Sequence, residues 1–342
     1  MSKNAALFGV GRMGLAITYG LSKLGHRVKF SFVTTHLIQD PDNPYDILSS
    51  GFDIVISSLP YHQTKGLASY CIEKNIPYCD LGGSVPVSLE INSLAEEKNK
   101  GNVFTDLGLA PGLVNILAEW GYHELGGADS ISMMVGGLPA SPPNMLANPL
   151  NYTVTWSVDG LINEYKDSCE ILIDGKIKEV EGMSGLQLVH SKKLDELEAF
   201  YTSGGAAHTI KTMKERGVAN CSYKTLRYKG HREIVNFLMR DCELPNECLK
   251  HIFEKGCSSV HSSDLVIVIV EIKKGNMTWK KEIVVFSDER YSAMQKATAF
   301  SIASVADLIC EGKMPPKSLS MKYADVPFGS FIHNLETLGL KI

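Results

Sequence analysis

No lysine/arginine cluster, no Cys-x-x-Cys pair and no membrane-length apolar run occurs in this 342-residue chain, and each absence removes a class of protein. With 34 basic against 38 acidic residues the formal net charge is -4, which argues against nucleic acid or an anionic membrane as partner. The most apolar run, residues 265–270, is rich in β-branched residues and far too short to cross a bilayer, so it reads as a buried strand. Eight cysteines are scattered along the chain, and none has metal-ligand spacing to a histidine. They read as reduced thiols of a cytoplasmic protein, with no metal expected. No cleavable leader is visible before the first strand-like segment, and no internal repeat or low-complexity stretch interrupts the chain. The length suffices for one large or two ordinary domains.

What is present begins at once. An apolar run ends at Gly9, glycines follow at Gly11 and Gly14, and an apolar-periodic segment (Leu15, Ile17, Leu21, Leu24) continues to Gly25. Strand, tight turn and helix in that order give the Gly-x-Gly-x-x-Gly pattern its mechanical meaning. Gly9 makes the turn, Gly11 lets backbone approach a pyrophosphate, and Gly14 allows close helix–strand packing. Arg12 and Met13 lie between them, where helix N–H groups and the positive dipole end would meet the phosphates. The second strand, residues 27–33, is followed by Thr34, Thr35 and His36, where an Asp or Glu commonly takes the ribose hydroxyls. Neither that acid nor an arginine for a 2′-phosphate stands there, so the cofactor is NAD or NADP.

The next strand, residues 53–59, follows so soon that a third helix–strand unit looks trimmed away from the 3-2-1-4-5-6 sheet. Further helix and strand patterns alternate through a strand at 102–106 and a helix at 113–125, the signature of a parallel α/β sheet. From Asp129 the pattern changes to strands at 130–135, 152–158, 169–173, 177–180, 223–228, 265–272 and 279–286, with hairpin turns at Asp174-Gly175 and Gly275-Asn276. A helical period returns over 292–311. The expected fold is therefore α/β: a Rossmann-type parallel sheet with a trimmed third unit, residues 1–125 and 291–342, plus an α+β domain with a mainly antiparallel sheet, residues 126–290.

Several stretches together resemble the saccharopine dehydrogenase-like family, in particular its lysine 6-dehydrogenase branch. They include the glycine motif, Ser58-Leu59-Pro60-Tyr61, the segments 106–112, 136–139, 149–152 and 156–165, and the later segments 198–205, 225–231 and 293–298. The resemblance spans nearly the whole chain in consistent order. It implies an NAD(P)-dependent oxidoreductase acting on a carbon–nitrogen bond of an amino acid such as lysine, commonly a homodimer. Saccharopine-forming reductases and carboxynorspermidine-type enzymes resemble the chain over much the same regions.

Ligands of open α/β sheets sit beyond the carboxyl ends of the strands, so Ser58, Leu59, Pro60 and Tyr61 are assigned to cofactor contact. Asp106, at another strand end, either holds the substrate ammonium or caps the helix near Pro111. Thr202, Ser203 and Gly204, ahead of a helical stretch, offer hydroxyls and backbone N–H groups to a carboxylate, or form an ordinary helix start. Arg227 or Arg232 would supply a bidentate carboxylate partner. His231 is the candidate general base, because imidazole titrates near neutrality, although a histidine after Lys229-Gly230 is more often a turn residue. Tyr152 and Trp156, alternating with Val154 on an expected strand, line the aliphatic part of a substrate or fill a core. A smaller amino-acid substrate is favoured over a condensed one because no second arginine motif is evident. The alternatives are an imine reductase of the saccharopine type and a non-catalytic dinucleotide sensor.

Overall fold

The computed structural model describes residues 2–31, 51–141, 148–154, 156–194, 196–257, 263–315 and 319–342. The chain divides into two compact units, Met1–Ile116 with Gln295–Ile342, and Leu117–Met294.

In the first unit a parallel sheet contains β1 (Asn4–Phe8), β2 (Arg27–Ser31), β3 (Ile54–Ser57), β4 (Tyr78–Asp80) and β5 (Val103–Phe104), ordered β2-β1-β3-β4-β5. Helices α1 (Arg12–Lys23), α2 (Tyr61–Lys74) and α3 (Val85–Lys98) lie between successive strands in the chain. β1 and β3 are apolar and buried almost throughout, as strands covered on both faces must be. Ala6, Phe8 and Val55 pack with Leu67, Ala68, Cys71 and Ile72 of α2 and Ile91 and Ala95 of α3. The strand expected at 102–106 is only two residues long, and β2 is described only to Ser31; Thr34 lies outside the described residues. α4 (Leu113–Glu124) follows β5.

The second unit carries an eight-stranded sheet. Its strands are β6 (Ser130–Pro139), β7 (Cys169–Ile173), β8 (Lys176–Val180), β9 (Gln187–His190), β10 (Glu196–Tyr201), β11 (Asn220–Tyr228), β12 (Asp264–Lys274) and β13 (Met277–Phe286). The main path is β13-β12-β6-β11-β10-β9, with β7 on β11 and β8 on β7. The pairings are antiparallel except β6 with β11, which is parallel. Asp174 and Gly175, at φ 50° and 72°, make the two-residue turn of the β7–β8 hairpin. Four helices accompany the sheet: α5 (Val158–Lys166), α6 (Thr209–Glu215), α7 (His231–Asn236), continued as a π-helical turn Phe237–Asp241, and α8 (Asn246–Gly256). On one face Tyr152, Leu161, Tyr165, Phe200, Val235, Leu249 and Phe253 form the core.

Two expectations change here. Residues 152–158 are not a strand: Asn151 turns the chain at φ 50°, and Ser157 accepts a hydrogen bond from Gly160 N at 3.2 Å as the N-cap of α5. A short apolar alternation loses to a capping hydroxyl followed by a helical period. Tyr152 is then wholly buried, whereas Trp156 is 37% exposed with its ring against Gly160, so they share no strand face. β9 and β10, unmarked in the sequence pattern, are present and pair antiparallel.

The chain ends with α9 (Ala293–Cys310), a short 3-10 turn and α10 (Phe328–Thr337). Within the first unit Leu319 O accepts from Val103 N at 3.0 Å and Met321 N donates back to Val103 O at 2.9 Å, extending the sheet at β5. Asp307 of α9 is buried between His26 Nε2, at 2.7 Å, and Asn334 Nδ2, at 2.7 Å. One carboxylate thus ties the turn after α1 to both C-terminal helices. Replacing it by alanine strands two buried donors, and Asp307→Ala is expected to lower unfolding free energy by about 3 kcal/mol in urea denaturation. A loss under about 0.5 kcal/mol would show the cluster to be idle.

Candidate functional site

In the first unit the glycine motif adopts the geometry its spacing asks for. Gly9 has φ 97°, and a Cβ there would meet Ser58 Oγ at 2.5 Å. A Cβ on Gly14 would fall 1.9 Å from Gly9 O, so α1 packs against the turn at a distance only glycine permits. At Gly11 a Cβ would meet nothing within 4 Å, and no side chain caps α1, whose first turn contains Arg12 and Met13. An open glycine before an uncapped 12-residue helix fits a dinucleotide pyrophosphate. The Ser58 hydroxyl donates to Gly9 O at 2.8 Å and to Phe8 O at 3.1 Å, so it fastens the glycine turn from the end of β3. Leu59 leads to Pro60, the residue before α2, and Tyr61 opens that helix 43% exposed with its ring over Gly83.

Asp106 is not a helix cap. It lies ahead of α4, whose first turn is closed instead by Asn115 Oδ1 accepting from Gly112 N at 2.8 Å. Its carboxylate is buried, accepts from Ser88 Oγ at 2.8 Å, and is set beside Asp80, a residue the sequence reading did not single out. Asp80 Oδ1 accepts from the backbone N–H of Asp106 at 3.1 Å and of Gly82 at 2.9 Å, and Oδ2 from Tyr78 OH at 3.0 Å. These bonds hold Asp106 at φ 64°, where a Cβ on Gly82 would strike its carboxylate. Burial pushes Asp80 up to about 6 against the pull of its three donors. Burial and the Asp80 charge push Asp106 up to about 7, so it exchanges a proton near neutrality. The only sequence signal was an acid directly before Leu81-Gly82-Gly83.

In the second unit the polar residues gather around Arg227 of β11. Arg227 is 3% exposed, its guanidinium lies 4.5 Å from the Tyr152 ring and 5.6 Å from the Tyr165 ring, and it has no ion pair in contact among the described residues, although the Glu164 charge reaches it. Nε donates to Tyr165 OH at 2.8 Å and Nη1 to Leu226 O at 2.9 Å. The Tyr152 hydroxyl is buried and, among the described residues, makes no hydrogen bond of normal geometry, although the Trp156 side chain lies close enough to act on it. Glu198, opposite Arg227 on β10, is turned away onto the start of α7, accepting from Gly230 N at 3.0 Å and from Arg232 N. A buried cation beside an unpartnered hydroxyl is a site for an anion.

His231 does not have the open imidazole a general base needs. It is wholly buried, donates from Nδ1 to Leu150 O at 2.6 Å, and therefore accepts at Nε2 from Tyr165 OH at 3.0 Å. Burial, and then the Arg227 charge, push it down to about 3, so it is neutral and anchors Tyr165 under Arg227. Arg232 is spent elsewhere, Nε donating to Met183 O at 2.8 Å, and borders a separate open cavity of about 400 Å³ with Glu233, Asn236, Phe237 and Asp241.

Nor do residues 202–204 form an anion nest. Ser203 N donates to Glu164 O at 3.0 Å, Gly204 is exposed, and Thr202 Oγ1 lies 3.0 Å from Glu164 Oε1 and 2.8 Å from Thr225 Oγ1. Glu164 and Tyr165 were obscured because the preceding residues read as a strand rather than as the approach to α5.

The chain matches the model of the saccharopine dehydrogenase C-terminal domain over residues 108–337, and it belongs to that family. The mouse mitochondrial alpha-aminoadipic semialdehyde synthase is 30% identical over 193 residues, 54% of this chain but 20% of that protein. A Saccharomyces cerevisiae saccharopine dehydrogenase (NADP(+), L-glutamate-forming) is 26% identical over 261 residues, 70% of this chain and 56% of that one. The chain thus spans about a fifth of the mouse relative and about half of the yeast one. The apo structure of the yeast L-Glu-forming saccharopine dehydrogenase superposes with TM-score 0.73 at 15% identity, covering 98% of this chain and 97% of that one, a likeness of fold. No helix among the described residues is long and apolar enough to cross a membrane, and none of their His, Cys, Asp and Glu side chains group as a metal site.

The His231 geometry gives a signed prediction. The unfolded chain takes up a proton at about 6.5, which the native imidazole refuses until about 3. This contribution is complete above 6.5 and is lost as pH falls toward 3, at up to about 1.4 kcal/mol per pH unit. The stability advantage of wild type over His231→Gln should therefore shrink between pH 7 and pH 4 in urea unfolding; a constant difference would contradict a neutral His231.

Proposed function

We propose that the chain is an NAD(P)-dependent oxidoreductase acting on a carbon–nitrogen bond of an amino acid, of the lysine 6-dehydrogenase type. The observation that carries this reading is Arg227, a buried guanidinium with no ion pair in contact among the described residues beside the unpartnered Tyr152 hydroxyl. A substrate carboxylate supplies both missing partners. Family membership and the similarity to saccharopine dehydrogenases named as NADP(+)-dependent support the reaction class and a nicotinamide dinucleotide.

Gly9, Gly11 and Gly14, with Arg12 and Met13 at the start of α1, would hold the pyrophosphate, and Leu59, Pro60 and Tyr61 would border the dinucleotide. The bound dinucleotide supplies the hydride acceptor. The protein must orient the carbon bearing nitrogen and remove one proton from the incoming ammonium, because only a neutral amine has the lone pair that forms the iminium. Asp106 of the first unit, raised to about 7 and held by Ser88 and Asp80, has the basicity for that step.

A saccharopine-type imine reductase is the second reading, favoured by the named relatives.

The purified protein with L-lysine and NAD or NADP is expected to produce reduced cofactor. Silence there, with oxidation of reduced cofactor by an aldehyde acid plus an amine, would transfer the assignment to the reductase, and silence in both would leave a dinucleotide sensor. Asp106→Asn, which tolerates the positive φ, is expected to lower kcat by about 10²–10⁴-fold and remove an acidic limb of kcat/KM near pH 7. Retention of both rate and limb would assign the proton transfer elsewhere.

A further inference from the structure

Glu164 of α5 precedes Tyr165, the residue that engages Arg227. Both of its hydrogen bonds fall on one oxygen: Thr202 and Thr225 present their hydroxyls to Oε1. Oε2 has no such bond among the described residues, and Glu164 is only half-buried. No lysine or arginine pairs with Glu164 within ion-pair distance among the described residues. A carboxylate fixed by two hydroxyls, with its second oxygen unbonded and the Arg227 charge reaching it only from beyond contact distance, keeps a place for a cation that is not part of the protein.

Its position relative to Arg227 specifies which cation. Thr225 and Arg227 are two residues apart on β11, so their side chains leave the same face of the sheet about 7 Å apart. Glu164 is bonded to the first, and the buried guanidinium with the Tyr152 hydroxyl belongs to the second. One carboxylate and one guanidinium on that face, near enough for the Glu164 charge to act on Arg227, complement the two charges that an α-amino acid carries on a single carbon. A ligand with a carboxylate alone would fill the Arg227 side and leave Glu164 unpaired. A ligand with a second carboxylate there would meet Glu164 as a like charge.

We propose that Glu164 receives the α-ammonium of the substrate and restricts it to amino acids whose carboxylate-bearing carbon also carries a free amine. This rests on the reading of Arg227 as the carboxylate holder. Thr202 and Thr225 act through Glu164, fixing the rotamer that presents Oε2.

Two ligands separate this from the reaction itself. 6-Aminohexanoate has the chain and terminal amine of lysine without the α-amine; L-norleucine has the α-amino-acid head without the terminal amine. With wild type, lysine should exceed 6-aminohexanoate by about 30-fold in kcat/KM, chiefly through KM, as one charge-assisted hydrogen bond allows. Glu164→Gln should abolish that preference and leave 6-aminohexanoate nearly unchanged, while Glu164→Asp, which keeps the charge, restores part of it. Calorimetry of L-norleucine on the protein loaded with oxidised dinucleotide should show a matching loss with Glu164→Gln and partial recovery with Glu164→Asp. If lysine is not turned over but norleucine binds in a Glu164-dependent way, the reaction is misassigned and Glu164 keeps its role. Equal norleucine binding by wild type and Glu164→Gln, no binding by wild type, or an equal loss on lysine and 6-aminohexanoate overturns the proposal.

Discussion

A guanidinium taken out of water without a counter-ion in contact is costly, and the second unit is arranged around that cost at Arg227. Two tyrosine rings lie against it, the Tyr165 oxygen and the Leu226 carbonyl take two of its protons, and Glu198 opposite is turned onto the N–H groups at the start of α7. None of these neutralises the charge at contact distance. The arrangement depends on the β10–β11 register, which places Glu198 across from Arg227, and on α5, which delivers Tyr165. His231 belongs to the same logic: its buried neutral ring fixes the direction of the Tyr165 hydroxyl, leaving the oxygen to accept from Arg227.

The first unit meets a related constraint with backbone. Glycine at 9 and 14 lets α1 approach the first turn, and Ser58 fastens that turn from β3 while Gly11 stays open. At the ends of β4 and β5 the paired carboxylates of Asp80 and Asp106 divide the work. Asp80 has three donors and serves as the scaffold of the left-handed residue 106. Asp106, with fewer donors and a negative neighbour, binds a proton in the range where an amine-oxidising site would use one.

Much of this was legible in the sequence where a local rule and the tertiary environment agree. The glycine spacing, the parallel alternation, the Asp174-Gly175 hairpin and the β12–β13 ribbon follow from turn chemistry and period alone. The segment 152–158 misled because a few alternating apolar residues resemble a strand, whereas Asn151 and Ser157 convert them into the approach to α5. Arg227 and Asp106 were identifiable as polar residues at or near strand ends. Their partners Glu164, Tyr165 and Asp80 were not, because a partner across the fold leaves no spacing in the chain. His231 was read from the usual range of imidazole, and burial against Arg227 reverses that reading.

The central claim is that Arg227 and the Tyr152 hydroxyl are completed by a substrate carboxylate. A crystal structure of the protein with L-norleucine and oxidised dinucleotide tests it most directly. The account predicts the ligand carboxylate within hydrogen-bond distance of both the Arg227 guanidinium and Tyr152 OH. A bound amino acid whose carboxylate contacts neither group would contradict it.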